Sequence, residues 1–274
     1  MAKVLNGADL ADFIKVRQAK QVRRLKQADG VSPRLAIVMT EQPEPVIETY
    51  VRLKQAYGDD IGVDVLVERC RDDDMPLVID RLNKDESVHA VVIQLPLADT
   101  TRTTDIVNQV AGHKDVDGLG ESAKYISATA EAIDWLLAGY DVALEGKKIV
   151  LVGRGKLVGG PLERLWHERG LDVEVVDRST EDITDVVQGA QVIVSAAGQP
   201  ELIASSMVAP GSVVVDAGTV SEDGKIVGDV ADDVRARSDV SMTPVKGGVG
   251  PLTVAMMFDH VIRAANATLG QSTK

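Results

Sequence analysis

The chain has 274 residues, a formal net charge of −12 and only 3% aromatic residues. The acidic balance argues against a general nucleic-acid binder, which needs a basic face, and the scarcity of aromatic side chains argues against a stacking platform for single strands. The single cysteine, Cys70, excludes an internal disulfide and has no companion metal ligands. No apolar run is long enough to span a membrane and the N-terminus lacks a signal core, so we expect a cytoplasmic protein without a metal, nucleic-acid partner or membrane partner.

Short apolar runs alternate with amphipathic stretches along the chain. The predicted strands are residues 35–39, 63–70, 90–97, 148–153, 172–177, 191–197, 212–218 and 239–245. The predicted helices are residues 8–29, 45–61, 75–84, 103–111, 129–138, 159–169, 180–188 and 252–269. Most of the strands are near-continuous Val, Ile, Leu and Ala, which is typical of parallel strands covered on both faces. The alternation therefore predicts an α/β fold.

The helix at residues 129–138 divides this series. Three strand–helix units precede it, and a fresh series begins at Lys147. We predict one domain at residues 1–128, completed by the C-terminal helix at 251–274, and a second domain at residues 129–250. Two domains joined by continuous helices leave a cleft, which is a common place for a ligand, so we expect the active site there.

Polar side chains in the first half occur at positions that suit a ligand site. Tyr50 and Lys54 are four residues apart on a predicted helix and therefore share a face, although such pairs are usually surface pairs. Gln94 follows an apolar strand, at the edge where α/β sheets bind ligands, but a turn residue explains it as well. Asp117 precedes Gly118, and an ordinary Asp-Gly turn is the simplest explanation of that pair alone.

Residues 149–161 have the pattern of a strand, a glycine turn and a helix start. Gly153 suits the tight turn, and Gly155 lets the backbone approach a phosphate at the helix N-terminus. The spacing differs from the strict fingerprint, so a tight turn without a ligand remains an alternative. Ala197 and Gly198 end a later strand with small residues. The predicted cofactor-binding residues are Gly153, Arg154, Gly155, Val158, Gly159, Asp177, Arg178, Ala197 and Gly198.

The choice between NAD and NADP rests on three charged residues. Asp177 ends the second strand of this half, where an acidic residue usually binds the ribose hydroxyls and favours NAD. Arg178 follows it and Arg154 lies in the glycine turn, and both suit the 2′-phosphate of NADP. Two cations against one anion favour NADP, which we predict, with NAD as the alternative.

Residues 247–251, Gly-Gly-Val-Gly-Pro, connect an apolar run to the last helix. The turn has almost no side chains, so a ligand can approach its main chain. Pro251 suits the first turn of the helix that follows. A plain loop with a well-formed helix start also explains this stretch, and only the other motifs favour a binding role.

Together these motifs resemble the bifunctional methylenetetrahydrofolate dehydrogenase/methenyltetrahydrofolate cyclohydrolase family. The resembling segments follow the family's order and cover nearly the whole chain: 50–54, 92–97, 114–119, 152–161, 194–203, 213–218 with 224–230, and 242–253. Gln-Leu-Pro-Leu, Lys-Asp-Val-Asp-Gly and the late Gly-Gly-Val-Gly-Pro form a highly specific combination. The resemblance implies an N-terminal α/β catalytic domain and a Rossmann-like dinucleotide-binding domain, with homodimers pairing through the latter.

The resemblance also implies an activity and residue roles. A hydride passes from methylenetetrahydrofolate to NAD(P)+, and water then opens the methenyl product to 10-formyltetrahydrofolate. Lys54 would assist water attack and proton transfer, while Gln94 would hold it by a hydrogen bond. Tyr50 would pack against the folate, and Asp117 would accept hydrogen bonds from the pterin ring. The other implied substrate contacts are Leu95, Gly247, Gly248, Gly250 and Pro251, and the polyglutamate length stays open.

Several loops depart from the family pattern. Residues 39–48 replace a shorter serine-containing loop, and Ser-Ala-Thr-Ala at 127–130 replaces Pro-Cys-Thr-Pro. Lys246 stands where proline is usual, and Asp177-Arg178 replaces His-Ser. These departures bear on substrate affinity and cofactor choice more than on the reaction. The rival hypotheses are a dehydrogenase with weak or absent cyclohydrolase activity, a relative with another substrate, and a non-catalytic folate or nucleotide binder, although a binder has no need of Lys54.

Overall fold

The computed structural model describes residues 2–218, 220–222 and 225–270 and divides into two compact units. The first unit comprises Asp12–Ala128 with Val254–Lys274, and the second comprises Met1–Ala11 with Thr129–Thr253. Gly224, which begins one of the resembling segments, lies outside the described residues. Within the described ranges, no helix has the length and apolar character needed to cross a bilayer, and no cluster of acidic, histidine or cysteine side chains is placed to hold a metal ion.

The N-terminal segment differs from the predicted division because it lies with the second unit. The backbone N–H of Leu5 donates to the carbonyl of Met242 at 2.8 Å, and the N–H of Met242 donates to the carbonyl of Lys3 at 3.0 Å. Val4 and Met242 form a parallel bridge. The first residues therefore extend the sheet of the second unit, a pairing across more than two hundred residues that no local pattern announces.

The first unit is built around a parallel sheet with the strand order β2-β1-β3. Its helices and strands are α1 (Gly7–Ala28, from residue 12 onward), β1 (Arg34–Thr40), α2 (Pro45–Ile61), β2 (Asp64–Cys70), α3 (Met75–Lys84), β3 (Ala90–Ile93) and α4 (Thr103–Val107). The predicted strands and helices of this half are all present. A parallel sheet with helical crossovers confirms the predicted α/β fold here.

The strands of this sheet differ in burial according to their position. The central strand β1 is buried from Leu35 onward and β3 is buried throughout, as expected for strands covered on both faces. That expectation fails for β2, whose residues are exposed or half-buried until Cys70. Both β2 and β3 are edge strands, but the segment at Asp115 pairs with β3. Cys70 itself is buried, and burial raises the pKa of its thiol, which fits a packing role.

The last long helix, α9 (Val249–Ala267), packs its residues from 254 onward in the first unit. The ring of Phe258 stacks on Tyr57 of α2 with centroids 5.0 Å apart. The side-chain amide of Gln18 donates to the carbonyl of Ala255 at 2.8 Å. The last helix therefore packs with the first unit from Val254 onward, and Pro251 lies in the first turn of α9 as predicted.

The second unit contains a parallel sheet with the order β10-β7-β6-β4-β5. Its elements are α5 (Ala128–Gly139), β4 (Ile149–Val152), α6 (Gly159–Glu168), β5 (Val173–Val176), α7 (Thr184–Gln188), β6 (Val192–Ser195), β7 (Val213–Asp216), β8 (Val220–Glu222), β9 (Lys225–Val227), α8 (Asp232–Arg235), β10 (Ser241–Met242) and the start of α9. The chain winds from β4 to β5 in one direction and returns to β6 on the other side of β4. Such a switch point is where open α/β sheets bind ligands, outside the carboxyl ends of the strands.

Several local features of this unit differ from the sequence prediction. The short helix α8 was not predicted, and the strand predicted at residues 239–245 is limited to Ser241–Met242. The antiparallel pair β8 and β9 was not predicted, because strands of three residues carry too little apolar periodicity. The helix α7 begins four residues later than predicted. The carboxylate of Asp182 accepts the N–H of Thr184 at 2.8 Å, so a short turn precedes the helix.

Candidate active site

The helix α2 carries Lys54 to a hydrogen bond with Gln94. Nζ of Lys54 donates to Oε1 of Gln94 at 2.6 Å, which is the hydrogen bond that the family resemblance implied. Ile47, Val51 and Ile61 are buried on the inner side of the helix and hold it in place. Tyr50 and Lys54 are both half-buried, one turn apart on the same helix face.

Two hydrogen bonds that do not involve Lys54 hold Gln94 in place. The residue follows β3 directly, and its N–H donates to the carbonyl of Val38 at 2.8 Å, which extends the ladder with β1 by one position. Its side-chain Nε2 donates to the carbonyl of Leu95 at 3.0 Å. Because the donor end of the amide is occupied, the oxygen end of this buried side chain is left to accept from Lys54. The half-buried Leu95 packs against the core of the unit.

The segment that carries Asp117 lies alongside β3. The N–H of Val91 donates to the carbonyl of Lys114 at 2.8 Å, and Val91 forms a parallel bridge with Asp115. Asp115 therefore pairs with β3 like a residue of a further parallel strand, and Asp117 comes two positions after it. Gln94 comes directly after β3, so both residues lie at the carboxyl end of the sheet. The structure thus brings Lys54, Gln94 and Asp117 together in the first unit.

The neighbours of Asp117 in the Lys-Asp-Val-Asp-Gly motif have structural contacts. The buried ammonium of Lys114 donates to the carbonyls of Leu82 and Asp85, near the end of α3, at 2.9 and 2.8 Å. The buried carboxylate of Asp115 accepts the N–H groups of Gly118 at 3.0 Å and Gly120 at 2.7 Å. Both side chains hold the shape of the loop that presents Asp117.

Burial shifts the titration of the three ionisable residues at this edge. It lowers the pKa of Lys54, an effect that the charge of Asp117 partly opposes. It raises the pKa of Asp117, an effect that Lys54 and His260 oppose and Asp115 reinforces. It also raises the pKa of the Tyr50 hydroxyl. An amine whose pKa is lowered by burial is suited to accept and return a proton.

His260 and Tyr125 are two residues of this region that the sequence did not suggest. Nδ1 of the buried His260 lies 2.8 Å from the carbonyl of Val116, next to Asp117. The Tyr125 ring stacks on the imidazole with centroids 4.9 Å apart, and the Arg263 guanidinium lies over the Tyr125 ring, 5.4 Å from its centroid. A lone histidine in an apolar helix was the only available signal, and it does not reveal a partner 144 positions away.

The glycine turn at residues 247–251 belongs to the second unit. Gly247 has φ of +85°, a conformation that favours glycine, and its carbonyl accepts the N–H of Ala8 at 3.0 Å. Gly248 is buried, and a Cβ there would lie 3.1 Å from the carbonyl oxygen of Pro244 and 3.3 Å from Cβ of Thr243. A Cβ on the exposed Gly250 would meet nothing within 4 Å. Packing therefore accounts for the first two glycines of the turn, whereas Gly250 leaves its main chain accessible beside the half-buried Pro251.

In the turn after β4, packing likewise requires glycine at positions 153 and 159 but not at 155. Gly153 has φ of +97°, and a Cβ there would lie 2.6 Å from the carbonyl of Ala196 at the end of β6. A Cβ on Gly159 would lie 2.0 Å from the carbonyl of Gly153, so α6 can only pack this closely on the turn through glycine. Gly155 meets no such restriction within 4 Å. Val158 is the N-cap of α6, and among the described residues no side chain caps this helix end.

The loop after β6 is organised by Asp229, another residue to which the sequence assigned no role. One oxygen of this fully buried carboxylate accepts from Oγ of Ser195 at 2.7 Å and from the N–H groups of Ala197 at 2.8 Å and Gly198 at 3.3 Å. The other oxygen accepts the N–H of Gln199 at 2.8 Å. Asp229 thus shapes the loop that contains two predicted cofactor contacts.

The three charged residues that bear on cofactor choice have different surroundings. Arg154 is held by Glu163 of α6, with Nε 2.7 Å from Oε2 and a second bond from Nη2 to Oε1. The carboxylate of Asp177 accepts the N–H of Ser179 at 2.9 Å and its hydroxyl at 2.6 Å, and these hydrogen bonds, more than the charge of Arg154, lower the pKa of Asp177. Arg178 is exposed. The contact between Arg154 and Glu163 was not predicted.

Comparisons with known proteins cover both halves of the chain. A family model described as the catalytic domain of tetrahydrofolate dehydrogenase/cyclohydrolase matches residues 5–117. A second model, described as the NAD(P)-binding domain of the same family, matches residues 127–269. The curated Bifunctional protein FolD of Natranaerobius thermophilus is 34% identical over 292 residues, which cover 98% of this chain and 99% of the relative.

Solved structures give the same result. The bifunctional FolD methylenetetrahydrofolate dehydrogenase/cyclohydrolase of Campylobacter jejuni is 31% identical with a TM-score of 0.90, and the match covers 98% of this chain and 100% of that one. The Trypanosoma brucei enzyme, solved with NADP and an inhibitor, is 30% identical with a TM-score of 0.90, and covers 97% and 98%. The chain therefore belongs to the tetrahydrofolate dehydrogenase/cyclohydrolase family.

Proposed function

We propose that this enzyme oxidises 5,10-methylenetetrahydrofolate to 5,10-methenyltetrahydrofolate with NAD(P)+ and then hydrolyses the product to 10-formyltetrahydrofolate. The family supplies the reaction, and the observation that carries it to this chain is the hydrogen bond between Lys54 and Gln94 beside Asp117. Simple binding of a folate would not require a half-buried amine with a lowered pKa. This arrangement favours a catalyst over a non-catalytic binder.

Lys54 is the proposed proton-transfer group of the hydrolysis. The methenyl product is a cation and already electrophilic, so the reaction needs a positioned water more than a strong nucleophile. When water adds to the methenyl carbon, it must lose a proton, and the neutral amine of Lys54 is suited to accept it. The hydroxyl of this adduct then loses its own proton to solvent as the formyl C=O forms and the carbon–nitrogen bond breaks, and the released nitrogen takes the proton that the Lys54 ammonium returns. Gln94 keeps Nζ in place through both transfers.

Asp117 is the proposed anchor of the pterin ring. The ring edge carries N–H donors, and a carboxylate accepts such donors in charge-assisted hydrogen bonds. Burial penalises the carboxylate of Asp117, and donors from a substrate would offset that penalty. Tyr50 and Leu95 are proposed to contact the folate with their apolar surfaces. The other proposed substrate contacts are Gly247, Gly248, Gly250 and Pro251.

The second unit provides features that fit a dinucleotide. The turn after β4 lies at the switch point of the sheet, Gly155 is open, and α6 starts without a side-chain cap. NAD(P)+ would supply the acceptor for the hydride when bound. The chain's own part is to hold its phosphates near Gly153, Gly155 and Gly159. Val158, Ala197 and Gly198 complete the proposed contacts, and Arg154, Asp177 and Arg178 set the preference, for which NADP is proposed.

The remaining proposals concern the surroundings of the enzyme. We propose a homodimer in the cytoplasm that acts on tetrahydrofolates carrying polyglutamyl chains. A chain with a single cysteine cannot form an internal disulfide, which fits a reducing compartment. Sedimentation of the purified chain would test the dimer, and a single-subunit mass would contradict it.

One assay tests the main proposal. The protein is mixed with methylenetetrahydrofolate and either NAD+ or NADP+, and the absorbance of reduced nucleotide and of methenyltetrahydrofolate is followed. We expect formation of reduced nucleotide and decay of added methenyltetrahydrofolate faster than in buffer. Nucleotide reduction without faster hydrolysis would favour the dehydrogenase alternative, and binding without either reaction would favour the non-catalytic one.

A further inference from the structure

The ion pair between Arg154 and Glu163 joins the glycine turn to the helix that follows it. Glu163 lies on α6 with only 10% of its side chain exposed, whereas Arg154 lies in the turn with 58% of its side chain exposed. Both carboxylate oxygens are engaged: Oε2 by Nε at 2.7 Å and Oε1 by Nη2. The buried carboxylate of Glu163 therefore holds the exposed guanidinium of Arg154 in place.

The pairing leaves part of the guanidinium available. Arginine has five N–H donors in a planar fork, and Glu163 accepts two of them. The other donors belong to a side chain that is more than half exposed. A planar fork with such donors suits phosphate oxygens, and the exposed Arg178 follows β5, the strand that pairs with β4 before the glycine turn, and carries a second positive charge.

We propose that Glu163 is a positioning residue that sets the preference for NADP+ over NAD+ by fixing Arg154 in the glycine turn for contact with the 2′-phosphate. The inference rests on the proposed function and deepens its choice of cofactor. NAD+ lacks the 2′-phosphate, so the position of Arg154 matters for NADP+ alone.

Glu163 could instead act through its charge, and then it would oppose binding of the phosphate. Two features favour positioning. The Glu163 charge is already compensated by the guanidinium it holds. An unpaired arginine also loses substantial rotamer freedom when it orders around a ligand, and the pairing with Glu163 imposes that order before binding. Removal of the pairing should therefore weaken NADP+ binding.

The test compares dissociation constants for NADP+ and NAD+, measured by titration calorimetry on the full chain. Glu163→Gln keeps the volume of the side chain but cannot accept both bonds. We expect it to weaken NADP+ binding about fivefold to tenfold, in the range of one lost charge-assisted contact, with NAD+ binding within about twofold of wild type. Glu163→Asp keeps the charge but shortens the side chain, so it should lower NADP+ selectivity as well. Glu174→Gln removes an exposed carboxylate from β5 and serves as the matched control.

A double-mutant cycle shows whether Glu163 acts through Arg154. Arg154→Ala should lower NADP+ affinity, and adding Glu163→Gln should cause no further loss. Tighter NADP+ binding in Glu163→Gln, an unchanged ratio of the two constants in both Glu163 variants, or a further loss in the double variant would overturn the inference. If the wild type binds and turns over normally, these outcomes concern Glu163 alone. A wild type that binds neither nucleotide would overturn the proposed function and this inference with it.

Discussion

Nζ of Lys54 lies 2.6 Å from Oε1 of Gln94, although the two residues are forty positions apart on different elements of the first unit. The contact joins the crossover helix α2 to the carboxyl end of β3. It orients an amine whose pKa burial lowers.

Lys54→Ala should abolish the hydrolysis of methenyltetrahydrofolate while the protein stays folded and binds dinucleotide. Loss of a positioned proton-transfer group typically costs ~100- to 10,000-fold in rate. Arg52→Ala, an exposed position on the same helix, is the matched control. Hydrolysis near the wild-type rate in the Lys54 variant would show that this amine is not the catalytic group.

Gln94→Glu should shift the pH profile of hydrolysis to higher pH. The proposed mechanism needs the neutral amine, so the wild-type rate should rise with pH and level off below the ordinary lysine range, because burial lowers the pKa of Lys54. A carboxylate at position 94 stabilises the ammonium and raises that pKa. The rate of each protein is measured across pH 6 to 10 under single-turnover conditions. If the profile does not shift, the rise in rate with pH does not reflect the titration of Lys54.

Asp117→Asn should weaken folate binding and both reactions, with little effect on nucleotide affinity. The carboxylate makes charge-assisted hydrogen bonds to the pterin in the proposed mode, each worth about 1.5–3 kcal/mol. Titration with a folate and, separately, with a dinucleotide measures the two affinities. Unchanged folate affinity would reduce Asp117 to a turn residue.

The same substitution should stabilise the ligand-free protein at neutral pH. Burial raises the pKa of Asp117 in the folded chain, so the folded state holds the proton more tightly than the unfolded state does. The stability from this residue is therefore fully present below the unfolded pKa and is lost as the pH rises through the folded pKa. Asparagine cannot ionise and avoids that loss, so Tm at pH 7 should rise by roughly 2–4 °C. The gain should shrink as the pH falls towards 4, and a gain that is independent of pH would point to another cause.

Wild type should bind NADP+ more tightly than NAD+, and Arg178→Ala should reduce that preference. Arginine binds phosphate through its planar fork, and this exposed residue directly follows Asp177, whose carboxylate is engaged by Ser179. Steady-state rates with each nucleotide measure the preference. If wild type prefers NAD+, or if the variant keeps its NADP+ preference, Asp177 governs the choice instead.

Much of the fold was predictable because proline and glycine residues mark the starts and ends of its helices and strands. The helix α2 has the predicted bounds, since Pro45 starts it and Gly62, with φ of +82°, ends it in a left-handed cap. The parallel strands were predictable from continuous apolar runs. Strands β8 and β9 were not, because three residues paired only with each other leave no periodic signal.

The candidate site was predictable where residue type and strand position coincide, as with Gln94 after β3. It was not predictable where a side chain is defined by a distant partner. The partner of His260 is the carbonyl of Val116, which is 144 positions away. Arg154 and Glu163 are closer in sequence, but their contact requires the glycine turn to fold back onto α6. Such contacts depend on tertiary packing, which local patterns do not encode.

The buried carboxylate of Asp229 limits what the loop after β6 can bind. Three consecutive N–H groups at residues 197–199 would otherwise form a cradle for an anion, but an internal anion already occupies them. In the proposed binding mode, a phosphate would gain no main-chain hydrogen bond from these N–H groups and would meet a like charge behind the loop. We therefore expect the phosphates of a dinucleotide to lie towards α6 and its positively charged nicotinamide ring towards β6.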